Sequence, residues 1–370
     1  LAATDITLDS ADSVGGSAPT DATHTAGLET ITTLNHGDGN FALGDPHQRK
    51  LVRDADGYWY AVWMDYNGSD YEIFMSKSAD TDGSAWETPV ELVGSAGIIY
   101  TDASYGFYWP AVDIDRTRGI LHITFTKIIS TGETYDEHIV YSKCTDLDDW
   151  DQSGSWYQIN GSTNGYNTVV TNAYSKETAA EYAGGIAVDS NGDAHLVYST
   201  GFRRDPYYAY GSVSSGWGTP IQIDATAQNH RYPAVEVDSN DVVHVIWNER
   251  LSDNWYPYVY HRSASSPYTS FAAQAAIVDI TNQHVGLPSI AADDEGNIQV
   301  SCHVQNPTNN ICGAYYNGAT WTENEAIDTL GWDRPAAGVR LGSGIADDII
   351  LSTDDGTDTE TDTDDVYYWQ

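Results

Sequence analysis

The stretch Tyr232-Pro-Ala-Val-Glu-Val-Asp-Ser-Asn-Asp-Val-Val-His-Val-Ile-Trp247 reads as two strands joined by a tight turn. Val, Ile and Trp fit a pleated, half-buried surface, and Asp-Ser-Asn-Asp is turn chemistry. A Tyr-rich third strand follows at Tyr256-Pro-Tyr-Val-Tyr-His261. The same layout recurs at residues 184–198 with 207–210, at 288–303 with 312–316, at 110–125, and at 50–63 with 71–76. Each copy has an apolar strand ending in Asp, a turn, a second strand, a loop and a third strand.

Copies spaced by roughly 47 to 75 residues are in the range of propeller blades. A sixth, incomplete copy starts at Arg334, continues through 347–352 and ends at Val366-Tyr-Tyr-Trp369. Its missing fourth strand is sought in Leu28-Glu-Thr-Ile-Thr-Thr-Leu34, which looks like the fourth strands at 87–92 and 218–223. An N-terminal strand completing the last blade closes the ring and leaves no open edge. The expectation is an all-β, six-bladed β-propeller over 28–370, with residues 1–27 an N-terminal extension or linker.

The chain has 370 residues, 54 acids against 16 Lys and Arg, and a formal charge of −38. Such a surface repels nucleic acid and anionic membranes. It suits a marine or halophilic protein kept soluble in high salt. No run of 18 apolar residues offers a membrane span. If residues 302–312 form a hairpin, Cys302 and Cys312 face each other at a bridgeable distance. A pair of free buried thiols is the alternative. A bridge would favour an extracellular or otherwise oxidising setting. No His or Cys spacing matches a zinc site, and no cofactor is expected.

In a propeller, strand-1 starts and strand-2 ends share the funnel mouth, while the strand-1 to strand-2 turns lie on the opposite face. The repeated Asp/Asn/Gly turns therefore read as hairpin turns rather than calcium loops. His47, Arg49, Tyr108, Trp109, His230, Arg231, Tyr232, His284 and Arg334 fall at strand-1 starts. Asp65, Lys127, Glu249 and His303 fall at strand-2 ends. Arg49, Arg231 and Arg334 stand out in a chain so poor in cations. Converging guanidinium groups suit a carboxylate or sulfate, and the competing reading pairs each Arg with a neighbouring acid. Long loops at 94–108 and 160–180 are placed on this face too. Mouth aromatics either stack on sugar rings or pack over the funnel edge.

The strand pattern Pro-Ala-Val-x-Val-Asp-Ser-Asn followed by Val-His-Val-Ile-Trp resembles the sialidase-like, bacterial-neuraminidase-repeat superfamily. Ser78-Ala-Asp-Thr-Asp-Gly-Ser-Ala-Trp86 is similar to that family's Asp-box turn, with one extra residue. Arg231-Tyr-Pro and Gln48-Arg49-Lys resemble its Arg-Ile-Pro signature. The resemblance implies glycan or polysaccharide partners and three kinds of function. The first is an extracellular carbohydrate-binding or adhesive module of a cell or virion surface, as one part of a larger surface assembly. The second is a polysaccharide lyase, with His47, His230, His284, Arg231 and Tyr232 supplying base, acid and uronate neutralisation. The third is a sialidase-like glycoside hydrolase, with Glu249 a carboxylate partner and Asp65 an acid.

Overall fold

The computed structural model describes residues 48–352, except 67–69, 82, 103, 131–134, 163–164, 171–183, 201–204, 227, 251–256, 281–283, 294, 306–309, 329–333 and 340–347. Regular structure there is almost wholly β, with one short 3-10 turn at Ser153–Ser155. The first sheet runs Leu51–Arg53, Trp59–Tyr66, Tyr71–Lys77 and Val90–Gly94, with Tyr100–Thr101 added in parallel. The second is built on Gly106–Asp115, Ile120–Ser130, Tyr135–Cys144 and Asn167–Val170. The third is built on Ile186–Val188, Ala194–Thr200 and Asp205–Ser212, with Gly216–Trp217 and Ile221–Gln222 on its outer edge. The fourth runs Asn229–Val237, Val243–Arg250, Tyr258–Ala264 and Ala275–Asp279. The fifth runs His284–Ala292, Ile298–Gln305, Asn310–Tyr316 and Trp321–Asp328. Arg334–Val339 pairs with Asp348–Ser352 in a sixth, two-stranded sheet.

Each turn is fixed by the Asp that ends its first strand. Asp189 Oδ1 accepts the N–H groups of Asn191 and Asp193 at 2.9 Å each. Asp238 accepts those of Asn240 and Val242 at 2.8 Å each, and Asp293 those of Glu295 and Asn297. These carboxylates are spent on orphan backbone donors, as an Asx turn requires. One step into the second strand, His122, His195 and His244 occupy matching positions opposite Asp113, Ala187 and Glu236. His122 and His195 Nδ1 each meet a third-strand tyrosine hydroxyl, Tyr141 and Tyr208, at 2.7 Å. His244 Nδ1 meets His261 Nε2 at 3.0 Å. Burial pushes His122 and His261 down to about 3, so both rings are neutral structural pieces.

The core lies between consecutive sheets. Val52, Ile73 and Leu92 of the first sheet share one cluster with Val112, Ile123 and Val140 of the second. Ala187, Val197 and Tyr208 of the third sheet join Val235, Val245 and Trp247 of the fourth. Each first strand packs on the next sheet's first strand. The Arg49 carbonyl accepts the Val112 N–H at 2.9 Å, and Asp113 Oδ2 accepts the Val188 N–H at 2.8 Å. First strands from different sheets thus gather along a common line.

Three first strands share a break that a strand reading does not anticipate. Trp109, Tyr232 and Leu287 have left-handed φ values of 52°, 53° and 53°, and each precedes a proline. The ladder slips one step at each site. A bulge leaves a backbone position without a ladder partner, and proline, having no N–H, loses nothing there. In the third sheet the residue that aligns with these prolines is Gly184, where an added Cβ would sit 1.0 Å from the Val197 carbonyl oxygen.

Two expectations change. Part of the segment read as a loop at 160–180 is strand: Asn167–Val170 pairs with Tyr135–Cys144 as the second sheet's fourth strand. Asn167 ties it down, accepting the Ile159 N–H at 2.9 Å and donating to Gln158. Within 94–108, the second sheet's first strand already begins at Gly106, before the proline taken as its start. Cys302 and Cys312 pair across their hairpin and are disulfide-bonded, with Cα atoms 5.0 Å apart. Cys144 is buried, and burial pushes its thiol up to about 12. The proposed closing strand 28–34 and the final segment 366–369 lie outside the described residues.

Candidate functional site

Strand pairing puts first-strand starts directly beside second-strand ends. His230 faces Glu249 and Arg231 faces Asn248 in the fourth sheet. Phe107 faces Lys127 and Tyr108 faces Thr126 in the second. Gly286 faces His303 in the fifth. This edge holds nearly all of the described residues singled out from the sequence, and the proline-linked bulges lie within it.

Its most densely charged part surrounds His230, which is fully buried. Nε2 lies 3.2 Å from Asp224 Oδ2, 3.8 Å from Glu249 Oε2 and 3.1 Å from Thr226 Oγ1. Nδ1 lies 3.6 Å from Asp205 Oδ1. Burial works to raise the Asp224 carboxyl, but hydrogen bonds from His230 and the Thr226 N–H outweigh it and hold the group low. Burial raises the Glu249 carboxyl, and the neighbouring Asp224 charge adds to that. Among the described residues, Asp224, His230 and Glu249 form the one group placed to share a metal ion, their donor atoms lying within 4.8 Å of one another. Arg231 and Tyr232 follow on the same strand and are half-buried.

A row of aromatic rings forms the other part. Tyr66 and Tyr71 centroids are 5.2 Å apart, Tyr71 and Tyr108 5.1 Å, and Tyr108 and Trp109 5.0 Å. The tyrosines are half-buried and Trp109 is buried beneath them. Asp65 sits at the end of this row and accepts the Tyr66 N–H at 2.8 Å. Beyond Tyr108, Lys127 Nζ donates to the Tyr100 hydroxyl at 2.6 Å and lies 4.0 Å from the Tyr105 ring centre. Burial lowers the Lys127 ammonium.

The three arginines do not occupy one step. Arg49 aligns with Pro110 and Pro233, whereas Arg231 stands earlier in its strand, level with Tyr108. The Arg49 guanidinium bonds Asp113 at 2.5 Å and also Glu236, from the second and fourth sheets. Burial opposes its charge, but the two carboxylates outweigh burial and keep it protonated. Both terminal nitrogens of the guanidinium are committed to the protein. Arg334 and His284 begin their first strands, and His47 lies outside the described residues.

Asp224 and Asp205 were not among the sequence candidates. Asp224 lies in the connection into the fourth sheet, where no strand periodicity marks it. Glu137 was also missed; it is 1% exposed, its Oε2 has no partner, and burial pushes it up to about 8. Its place near the strand-2 to strand-3 hairpin is readable from the sequence, but its burial is not.

The chain matches no family model and no curated protein in sequence. Solved structures do resemble it. An α-L-arabinanase from Penicillium chrysogenum is 13% identical over 92% of this chain and 96% of its own, with a TM-score of 0.57. A sialidase from Streptococcus pneumoniae is 10% identical over 92% of this chain and 70% of its own, with a TM-score of 0.59. An ulvan lyase, a polysaccharide lyase, is 11% identical over 87% of this chain and 82% of its own, with a TM-score of 0.55. This likeness shows a sialidase-like β-propeller fold. Fold alone does not choose among the chemistries it hosts.

Proposed function

We propose that the chain is an extracellular glycan-recognising propeller that binds sugar at its mouth. The observation that carries this reading is the row Tyr66–Tyr71–Tyr108–Trp109, with ring centres about 5 Å apart along one edge. Half-buried tyrosines offer flat apolar faces with polar rims, which is what the faces and hydroxyls of a pyranose require. Asp65 at the end of the row, and Arg231 and Tyr232 at the start of the fourth sheet's first strand, are read as further hydrogen-bonding groups, Arg231 adding a positive charge for an acidic sugar. The structural neighbours named as sialidase, arabinanase and lyase act on carbohydrate, and the lyase was solved bound to a GlcA(1-4)Rha3S unit. The disulfide supports an oxidising setting. Six blades closed by residues 28–34, a single domain over 28–370, and a high-salt habitat belong to the same proposal.

The test is retention on an array of neutral, uronate, sulfated and sialylated glycans, with ultraviolet absorbance and reducing ends read in parallel. Tyr108→Ala is expected to weaken binding at least about fivefold, since an aromatic contact of this kind is worth about 1 kcal/mol beyond area burial. Retention without turnover supports the binding module. Turnover lost in Arg231→Ala makes the mouth an active site, an unsaturated-uronate signal naming a lyase and new reducing ends alone a hydrolase. No retention and no turnover on any glycan overturns the reading.

A further inference from the structure

We propose that Asp224, His230 and Glu249 hold one divalent transition-metal ion, of the zinc or manganese kind, at the base of the mouth. One imidazole nitrogen and two carboxylate oxygens form a donor set that such ions accept. Bonds of about 2.0–2.2 Å to a tetrahedral centre place donor atoms roughly 3.3–3.6 Å apart. The separations of His230 Nε2 from Asp224 and Glu249, 3.2 and 3.8 Å, straddle that spacing.

Glu249 supplies the second, independent observation. Its side chain is 8% exposed, and Oε2 points toward His230 yet meets no hydrogen-bond donor. A buried carboxylate oxygen left without a partner costs free energy. A cation among the three donors removes that cost. Arg262 lies close enough to act on the Asp224 charge, but its Nη1 donates to the Ile223 carbonyl at 2.6 Å.

The far side of the ring fits the same assignment. Asp205 Oδ1 stands 3.6 Å from His230 Nδ1, the place of the carboxylate that orients a metal-bound histidine and fixes its tautomer. Three protein donors leave coordination positions for water, for Thr226 Oγ1 or for a ligand in the mouth. The ion would also brace the strand that presents Arg231 and Tyr232.

The experiment uses the whole chain, stripped with EDTA and held in 0.5 M salt so that its acidic surface is screened. Zn2+ and Mn2+ are titrated by calorimetry, and Co2+ is read by its visible absorption. One tight equivalent is expected, with cobalt bands of a low-coordinate nitrogen–oxygen site. Glu249→Gln and Asp224→Asn, checked for folding by circular dichroism, should each weaken binding at least tenfold. Asp205→Asn should weaken it about tenfold from outside the donor set, and serves if the others fail to fold. Absence of a tight equivalent in the wild-type chain, or wild-type affinity in the folded variants, overturns the assignment. No glycan enters this measurement, so its failure is separate from failure of the glycan reading.

Discussion

Two buried acid clusters sit in this molecule, and the chain treats them differently. Where the first strands meet, Asp113 and Glu236 face Arg49, a permanent cation supplied by the first sheet. At the mouth, Asp224, Glu249 and Asp205 surround the His230 imidazole. The first cluster carries its own cation and is structural. The second concentrates negative charge around one imidazole, which is how a site is kept ready for a cation from solution. The turn histidines sharpen the contrast. His195 meets one carboxylate, Asp189, at 3.5 Å and one hydroxyl, while His122 meets a hydroxyl and His244 a single carboxylate, Asp238, at 3.5 Å. His230 meets three carboxylates, and that arrangement occurs once among the described residues.

The largest effect should come from Arg49→Met. Removing one partner of a buried ion pair strands the others, at about 3–5 kcal/mol. Urea unfolding should show the midpoint falling accordingly. A loss below about 1 kcal/mol would mean that Asp113 and Glu236 find other partners. Next comes Asp189→Ala at the turn end. It abandons two backbone N–H groups and the His195 ring, so a loss of about 2 kcal/mol is expected by the same method. Asp224→Asn in metal-free protein should change stability by only about 0.5 kcal/mol, because it relieves like-charge repulsion from Glu249 while its oxygen can still accept the Thr226 N–H. A loss equal to that of Asp189→Ala would erase the distinction between the two ends.

The fold was legible where it repeats. Asp-turn-strand units at Asp54, Asp115, Asp189, Asp238 and Asp293 announce themselves by residue type at a fixed step, because the turn itself demands Asp, Asn and Gly. Fourth strands are short and lean on one or two apolar residues, so Asn167–Val170 passed for loop. The left-handed bends at Trp109, Tyr232 and Leu287 were hidden because a residue before proline ordinarily stays extended. His230, Arg231 and Glu249 were read from their place at strand ends. Their mutual register, and the arrival of Asp224 from a connecting loop, depend on pairing across strands and sheets. Arg49 was legible as an unusual cation, but its partners come from two other sheets and no local spacing reveals them.

Glu137 shows a third way to bury an acid, since it has neither a cation nor an imidazole and keeps its proton instead. Burial lifts it from the ordinary 4.5 to about 8. The native state therefore binds this proton more tightly than the unfolded chain. Its contribution to stability is complete below about pH 4.5 and is lost as pH climbs through 8. Asp189 and Asp238 are held low and act in the opposite sense, their contribution present above 3.8 and lost in acid. Comparing Glu137→Gln with wild type isolates the one term. The two should melt within a degree of each other below about pH 4.5, where the carboxyl is protonated in both the native and the unfolded chain. Between about pH 4.5 and 8 the variant should gain on wild type by about 1.4 kcal/mol for each pH unit, and above 8 the difference should level off. A constant difference from pH 5 to 9 would show that Glu137 is already ionised in the native state, and that this cluster-free acid has a partner after all.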